Sequence, residues 1–315
     1  YLHQGMQDLF AITLSTEAGL RTSDVSAVLN AWRRAGSENV GPEEQKDIAA
    51  SLMAGQYITG EIVGTPKTFV IRAVLQGTAS GERTQATAEG NADDVSRMVD
   101  VLTAQLISRR AGEAEELLPA LQETPLPALR SYLDGRAAYR RADFDASRDA
   151  FRRALEQDST FAPAAFGLAV ASSWSGATAA DLNARRARAW RLRDRLPPAD
   201  RLYMEAEFGN RSPGITPAAE QLAAAERLVN LARDRPEAWY ILGDLNFHYG
   251  AMLERPNAMN LALAAFNRSL ALDSSFFPSA DHLQTIYYAL GDTAGVRRAT
   301  AFLVARDSSS ERVEA

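Results

Sequence analysis

The sequence predicts two unlike parts in series: an α+β domain whose antiparallel sheet carries helices on one face, then an all-α array of helical hairpins. Three observations carry that reading. Between Gln56 and Glu89 apolar residues alternate with a period of two, the mark of strands with one buried face. Before and after that stretch the apolar residues recur at helical spacing instead. The segment LRSYLDGRAAYRRADFDASRDAFRRALEQDS, residues 129–159, holds two amphipathic runs broken at Ala142-Asp143, and neither run could bury its apolar side alone. The expected layout is an α+β domain over 1–112, a linker over 113–127, the helical array over 128–307 and a polar tail over 308–315.

Taken in order, Met6, Leu9, Phe10, Thr13 and Leu14 define a first helix stopped by Gly19, and Leu20 to Thr22 reads as a short strand. Ser23-Asp24 cap a helix through Val25, Leu29 and Trp32, and Pro42-Glu43-Glu44 open another through Ile48 and Leu52. Gln56 to Val63 and Phe69 to Leu75 form a hairpin about Gly64-Thr65-Pro66-Lys67, with a polar edge strand over Arg83 to Glu89. Asn91 to Asp94 cap a helix bearing Met98, Val99, Leu102 and Leu106. Pro119, Pro125 and Pro127 punctuate the linker, which is apolar enough to pack rather than swing. Beyond it, Pro163, Gly176 to Thr178, Pro197-Pro198, Thr216-Pro217, Pro236 and Pro278 mark successive helix starts, and Asn210 to Gly214 a loop.

The hairpin over 129–159 resembles one unit of a tetratricopeptide repeat (TPR), with Gly135, Phe151, Ala154 and Asp158 at matching places. Asp134 and Ser147 depart from that pattern. PEAWYILGDLNFHYG, 236–250, resembles the family further through Trp239, Leu242 and Gly243, although Gly243 and Phe266 stand 23 residues apart where Gly135 and Phe151 stand 16 apart. The extra residues are expected to lengthen the turn near Met252 to Asn257. In the first part, YLHQGMQDLFAITLS and MAGQYITGEIVGTPKTFVIRAVLQGTASGERTQATAEG resemble the small N-terminal-like domain of TolB, without the family's leading strand. The two resemblances together imply the sensory or scaffolding part of a bacterial signalling protein, outside the inner membrane. The alternative they leave is a structural subunit of an envelope or surface assembly, its sheet completed by strand addition, so that homo- or hetero-oligomers form through the sheet edge.

Composition removes several function classes. A net charge of −6 and a pI near 5.3 are wrong for a nucleic-acid surface. The basic run Ala184 to Arg195 reads as a solvated helix face. No apolar stretch approaches the roughly 20 residues of a membrane span. Without cysteine there is no disulfide, thiolate nucleophile or cysteine metal site. The chain opens without Met and without the basic start and apolar core of a signal peptide, as a mature or truncated product would. No phosphate cradle, nucleophile elbow or His-Glu-x-x-His motif is present, and the three histidines, His3, His248 and His282, are far apart in sequence. His248 stands beside Tyr249 and at helical spacing from Asp244, an arrangement open to a proton relay but better suited to a wall residue of a groove. The reading is therefore a non-enzymatic binding module with no catalytic residue, no metal and no cofactor.

Stacked repeats of this kind imply a superhelix lined by first helices, a curved trough open to a protein or peptide partner. Carried over by motif, the partner-contacting places hold Tyr132, Arg136 and Tyr139 in the first unit, Tyr240, Asp244 and Phe247 in the Trp239 unit, and Asp281, Thr285 and Tyr288 in the last. On that expectation Arg136→Glu with Tyr240→Ala weakens partner capture and leaves the fold intact.

Overall fold

A computed structural model describes residues 2–36, 40–65, 67–174, 176–211 and 214–306. The polar tail expected at 308–315, Pro66 of the expected hairpin turn, residues 212–213 of the expected loop and the His3 side chain lie outside the described residues. The chain forms two compact units, Tyr1–Leu133 and Asp134–Ala315. Among the described residues no helix is long and apolar enough to cross a membrane.

In the first unit, α1 (Leu2–Ile12) runs on into a π-helical turn, Thr13–Glu17, followed by α2 (Val25–Arg34) and α3 (Pro42–Ser51). Asp24 caps α2 through the Ala27 amide at 3.0 Å, and the Glu44 carboxylate accepts from the Gly41 amide at 2.8 Å. The sheet is an antiparallel meander, β1 (Gln56–Thr65), β2 (Thr68–Gly77) and β3 (Arg83–Gly90), with Gln56 opposite Gly77 and Phe69 opposite Gly90. Because side chains alternate along a strand, Phe69, Ile71 and Ala73 of β2 share one face with Ala86 and Ala88 of β3. That face buries Met98, Leu102 and Leu106 of α4 (Val95–Arg110), with Met6 and Phe10 of α1 against the same cluster. α1 and α4 thus sit on one face of the sheet. Leu20 to Thr22 forms no strand: Leu20 is exposed, and its amide donates to the Leu14 carbonyl at 2.7 Å, at the end of the π-helical turn.

The side chains of α4 also close the outer edge of β3. The Gln105 amide donates to the Thr87 carbonyl at 2.8 Å and accepts from the Thr87 amide at 3.2 Å, standing in for a strand residue. Arg109 donates to the Gln85 carbonyl at 2.6 Å and forms a bidentate pair with Glu115, 2.8 and 2.9 Å. The expected linker is ordered as a 3₁₀ turn, Glu115–Leu117, and α5 (Leu118–Gln122), burying Leu117, Leu118 and Leu121. The division between the units falls later, inside α6 (Leu126–Arg140).

The second unit continues with α7 (Phe144–Gln157), α8 (Ala162–Ser173), α9 (Ala179–Leu192), α10 (Pro198–Phe208), α11 (Ala218–Leu231), α12 (Pro236–Tyr249), α13 (Ala258–Leu272), α14 (Phe277–Ala289) and α15 (Thr293–Arg306). Most of these pack on the next in sequence, as hairpins stacked in series must. Asp143 and Thr178 cap α7 and α9. At α11 the cap residue is Pro217, and the Thr216 hydroxyl serves the preceding loop instead, accepting from the Arg211 amide. A glycine notch recurs: a Cβ on Gly135 would lie 2.8 Å from the Phe151 ring, and one on Gly243 would lie 2.8 Å from the Phe266 ring. Both rings are fully buried. The pairing of glycine with phenylalanine therefore survives the longer turn between α12 and α13.

Candidate functional site on α12 and α14

Both helices that carry the site open with proline in the first turn, Pro236 in α12 and Pro278 in α14, where the missing N–H costs nothing. They are the first helices of the last two hairpins, and they pack against each other. Helical spacing puts Asp244, Phe247 and His248 on one side of α12, and Asp281, Thr285 and Tyr288 on one side of α14. The packing brings together three side chains that sequence distance separates. His248 Nε2 lies 3.4 Å from Asp244 Oδ1, and His282 Nε2 lies 3.2 Å from the same oxygen. His248 is half exposed, whereas His282 is buried.

Packing fixes the His282 ring. It stacks on Phe266, with centroids 5.0 Å apart and planes 24° apart, and meets Trp174, Tyr240 and Phe247 edge-on. Its Nδ1 is 3.0 Å from the Pro278 carbonyl oxygen, which can only accept, so Nδ1 carries a proton and Nε2 is the atom aimed at Asp244. Burial disfavours the imidazolium, but the hydrogen bond and charge of Asp244 outweigh it and raise the His282 pKa above its ordinary value. Burial likewise acts to raise Asp244, yet the bonds to His248 and His282 hold its carboxyl below the usual range.

Deeper in the unit lies a polar interior. Burial pushes the Glu207 carboxyl up to about 7, with the Asp244 charge adding to the rise and Arg186 opposing it. Burial would also raise Glu237, but Arg136, Arg235 and Arg140 together bring it down to about 2. Arg136 donates to Glu237 at 2.6 Å, and Arg235 to Asp200 at 2.8 Å. The Tyr139 and Tyr203 hydroxyls are buried without a hydrogen-bond partner among the described residues, and burial raises the pKa of both.

The nine expected partner-binding residues divide accordingly. Asp244, Phe247, Asp281, Thr285 and Tyr288 keep accessible surface on the α12 and α14 faces, and Tyr288 is 80% exposed. Tyr132 belongs to the first unit, where it is buried and donates to Glu113 at 3.3 Å. Tyr139 and Tyr240 are buried, each with its ring against Phe276, and Arg136 is committed to Glu237. α12 packs on both α10 and α14, and the Tyr139, Tyr240 and Phe276 rings and the Arg136–Glu237 pair take up places expected to face a partner. Arg136→Glu with Tyr240→Ala would consequently break a buried pair and open a cavity, and it is no clean probe of binding. The histidines also depart from expectation, since two of the three converge on one carboxylate. Part of the basic run over Ala184 to Arg195 is engaged within the unit: Arg188 donates to the Ser159 carbonyl, Arg186 lies over Phe208 and Arg193 over Trp190, while Arg191 and Arg195 are exposed.

The second unit is thus an array of stacked helical hairpins, and the first a small three-stranded antiparallel sheet with helices. No protein-family model matches the chain. No curated protein matches it either. Among solved structures it is similar to the crystal structure of MamA protein, at 15% identity and a TM-score of 0.30, over 57% of this chain and 92% of that one. It is also similar to YrrB, described as a TPR protein with an unusual peptide-binding site, at 14% identity and a TM-score of 0.31, over 59% of this chain and 90% of that one. Neither match bears on what this chain binds.

Proposed function

We propose that the chain is a non-catalytic protein-interaction module that receives a partner segment on the α12 and α14 faces. The observation that supports it most is the row Asp281, Thr285 and Tyr288, at i, i+4 and i+7 on α14, a helix that packs on α12, where Phe247 and Asp244 keep accessible surface. An aromatic ring left 80% exposed two turns along from Asp281 on the same side of α14 suits a segment that offers an apolar side chain and a basic one. The resemblances in the sequence extend this to the sensory or scaffolding part of a bacterial signalling protein, with a TolB N-terminal-like domain ahead of TPR-like hairpins and an extracytoplasmic location. The second reading, a structural subunit held by strand addition, draws on the sheet: α4 closes the β3 edge, and among the described residues nothing pairs with the outer edge of β1.

The test is Tyr288→Ala combined with Asp281→Lys, both in accessible positions, with crosslinking and mass spectrometry of captured proteins from the native organism. The double variant should keep the melting temperature of the parent and lose the parent's partners. Retention of every partner would refute the assignment of this face. Ordered self-association of the parent, abolished by a β1 edge proline, would favour the strand-addition reading.

A further inference from the structure

The geometry points to a divalent transition-metal site formed by Asp244, His248 and His282. Three potential ligand atoms, one carboxylate oxygen and two imidazole nitrogens, lie within 4.8 Å of one another. In a tetrahedral zinc site with bonds of about 2.0–2.1 Å, the ligand atoms stand roughly 3.3 Å apart. Two of the three separations here are already 3.4 and 3.2 Å. The third requires only movement of His248, the half-exposed member.

The anchoring of His282 supports the same assignment. Its Nδ1–H is held by the Pro278 carbonyl, the arrangement that orients a metal-ligating imidazole and leaves Nε2 as the donor. The neutral ring then sets a nitrogen lone pair 3.2 Å from a carboxylate oxygen, two acceptors facing one another. Something positive must lie between them, a proton or a cation. A metal ion would replace that proton and recruit His248, which sits one helical turn from Asp244 on the same side of α12. Two imidazoles and one carboxylate suit a late first-row divalent ion such as Zn²⁺ rather than Ca²⁺ or Mg²⁺, which prefer oxygen. Three protein ligands leave a fourth place for water or for a side chain of a bound partner. The inference does not depend on the interaction reading, since the three ligands assemble within the unit without a partner.

The experiment is isothermal titration of the metal-stripped full chain with Zn²⁺, repeated on His248→Ala, Asp244→Asn and His3→Ala, together with visible spectra of the Co²⁺-loaded protein. The parent and His3→Ala should bind one ion with a dissociation constant below about 10 µM. His248→Ala, at an accessible position that the fold does not need, should weaken binding at least about 10-fold. Its Co²⁺ derivative should lose the intense absorption of a four-coordinate site. Asp244→Asn should do the same if it folds, and His248→Ala decides the matter if it does not. Absence of binding to the parent in that range, or equal affinity of parent and His248→Ala, would overturn the site. A Co²⁺ spectrum matching the hydrated ion would also overturn it.

Discussion

Replacing Glu237 by Gln removes the anion that Arg136 and Arg235 share in the interior of the second unit. Glu237 is almost entirely buried, and its pKa in the fold is about 2 against an ordinary 4.5. A difference of 2.5 units corresponds to about 3 kcal/mol, from about 1.4 kcal/mol per unit. Because the folded pKa is the depressed one, this stability is fully present above pH 4.5 and is lost as pH falls toward 2. Integration leaves about 1 kcal/mol at pH 3. The assay is urea unfolding of parent and Glu237→Gln at pH 7, 5 and 3, followed by circular dichroism and by tryptophan emission. The two probes must give one midpoint for the second unit before free energies are compared. Titrating groups remote from Glu237 cancel in the difference between the two proteins. That difference should be at least about 3 kcal/mol at pH 7, since an orphaned buried charge adds its own penalty. It should shrink by about 2 kcal/mol between pH 5 and pH 3. Parallel stability curves across that range would refute the assignment of an ionised, guanidinium-held Glu237.

Two further outcomes follow from the packing. Gly243→Ala drives a methyl group to 2.8 Å from the fully buried Phe266 ring and should cost about 1–3 kcal/mol in thermal or chemical unfolding, whereas Gly55→Ala, with nothing within 4 Å, should be neutral. Gln105→Ala strips the Thr87 backbone of both its α4 bonds, so the Thr87 amide should exchange hydrogen markedly faster, with about 1 kcal/mol lost from the first unit.

What could be read before any coordinates was whatever local periodicity determines. The strands expected at Gln56 to Val63, Phe69 to Leu75 and Arg83 to Glu89 are the cores of β1, β2 and β3, because alternation and turn glycines are local signals. The pairing of Gly243 with Phe266 held although their spacing is seven residues longer than that of Gly135 and Phe151, since a buried ring must find a surface without a Cβ. The centre of the array was not legible. Places that open arrays use for ligand contact were assigned to Tyr139, Tyr240 and Arg136, but whether first helices face a guest or each other depends on the superhelix pitch, to which every hairpin contributes. His282 did leave a trace. By the same motif register it occupies the place of Ile241, which is fully buried, and an imidazole at a core place asks for a polar neighbour. Asp244, in the preceding hairpin, is that neighbour, and no pattern within α14 alone names it.

Arrays held together only by neighbouring units can be shortened or extended at either end, because each unit settles against the one already made. The link from Tyr139 to Phe276, and that from Arg136 to Glu237, tie early helices to late ones across more than a hundred positions. Such a chain gives up that modularity. During synthesis its early hairpins wait with unsealed inner sides until the C-terminal helices emerge, and closure becomes one late, non-local event. Truncation within α14 should therefore loosen α6 as well as the end that was cut.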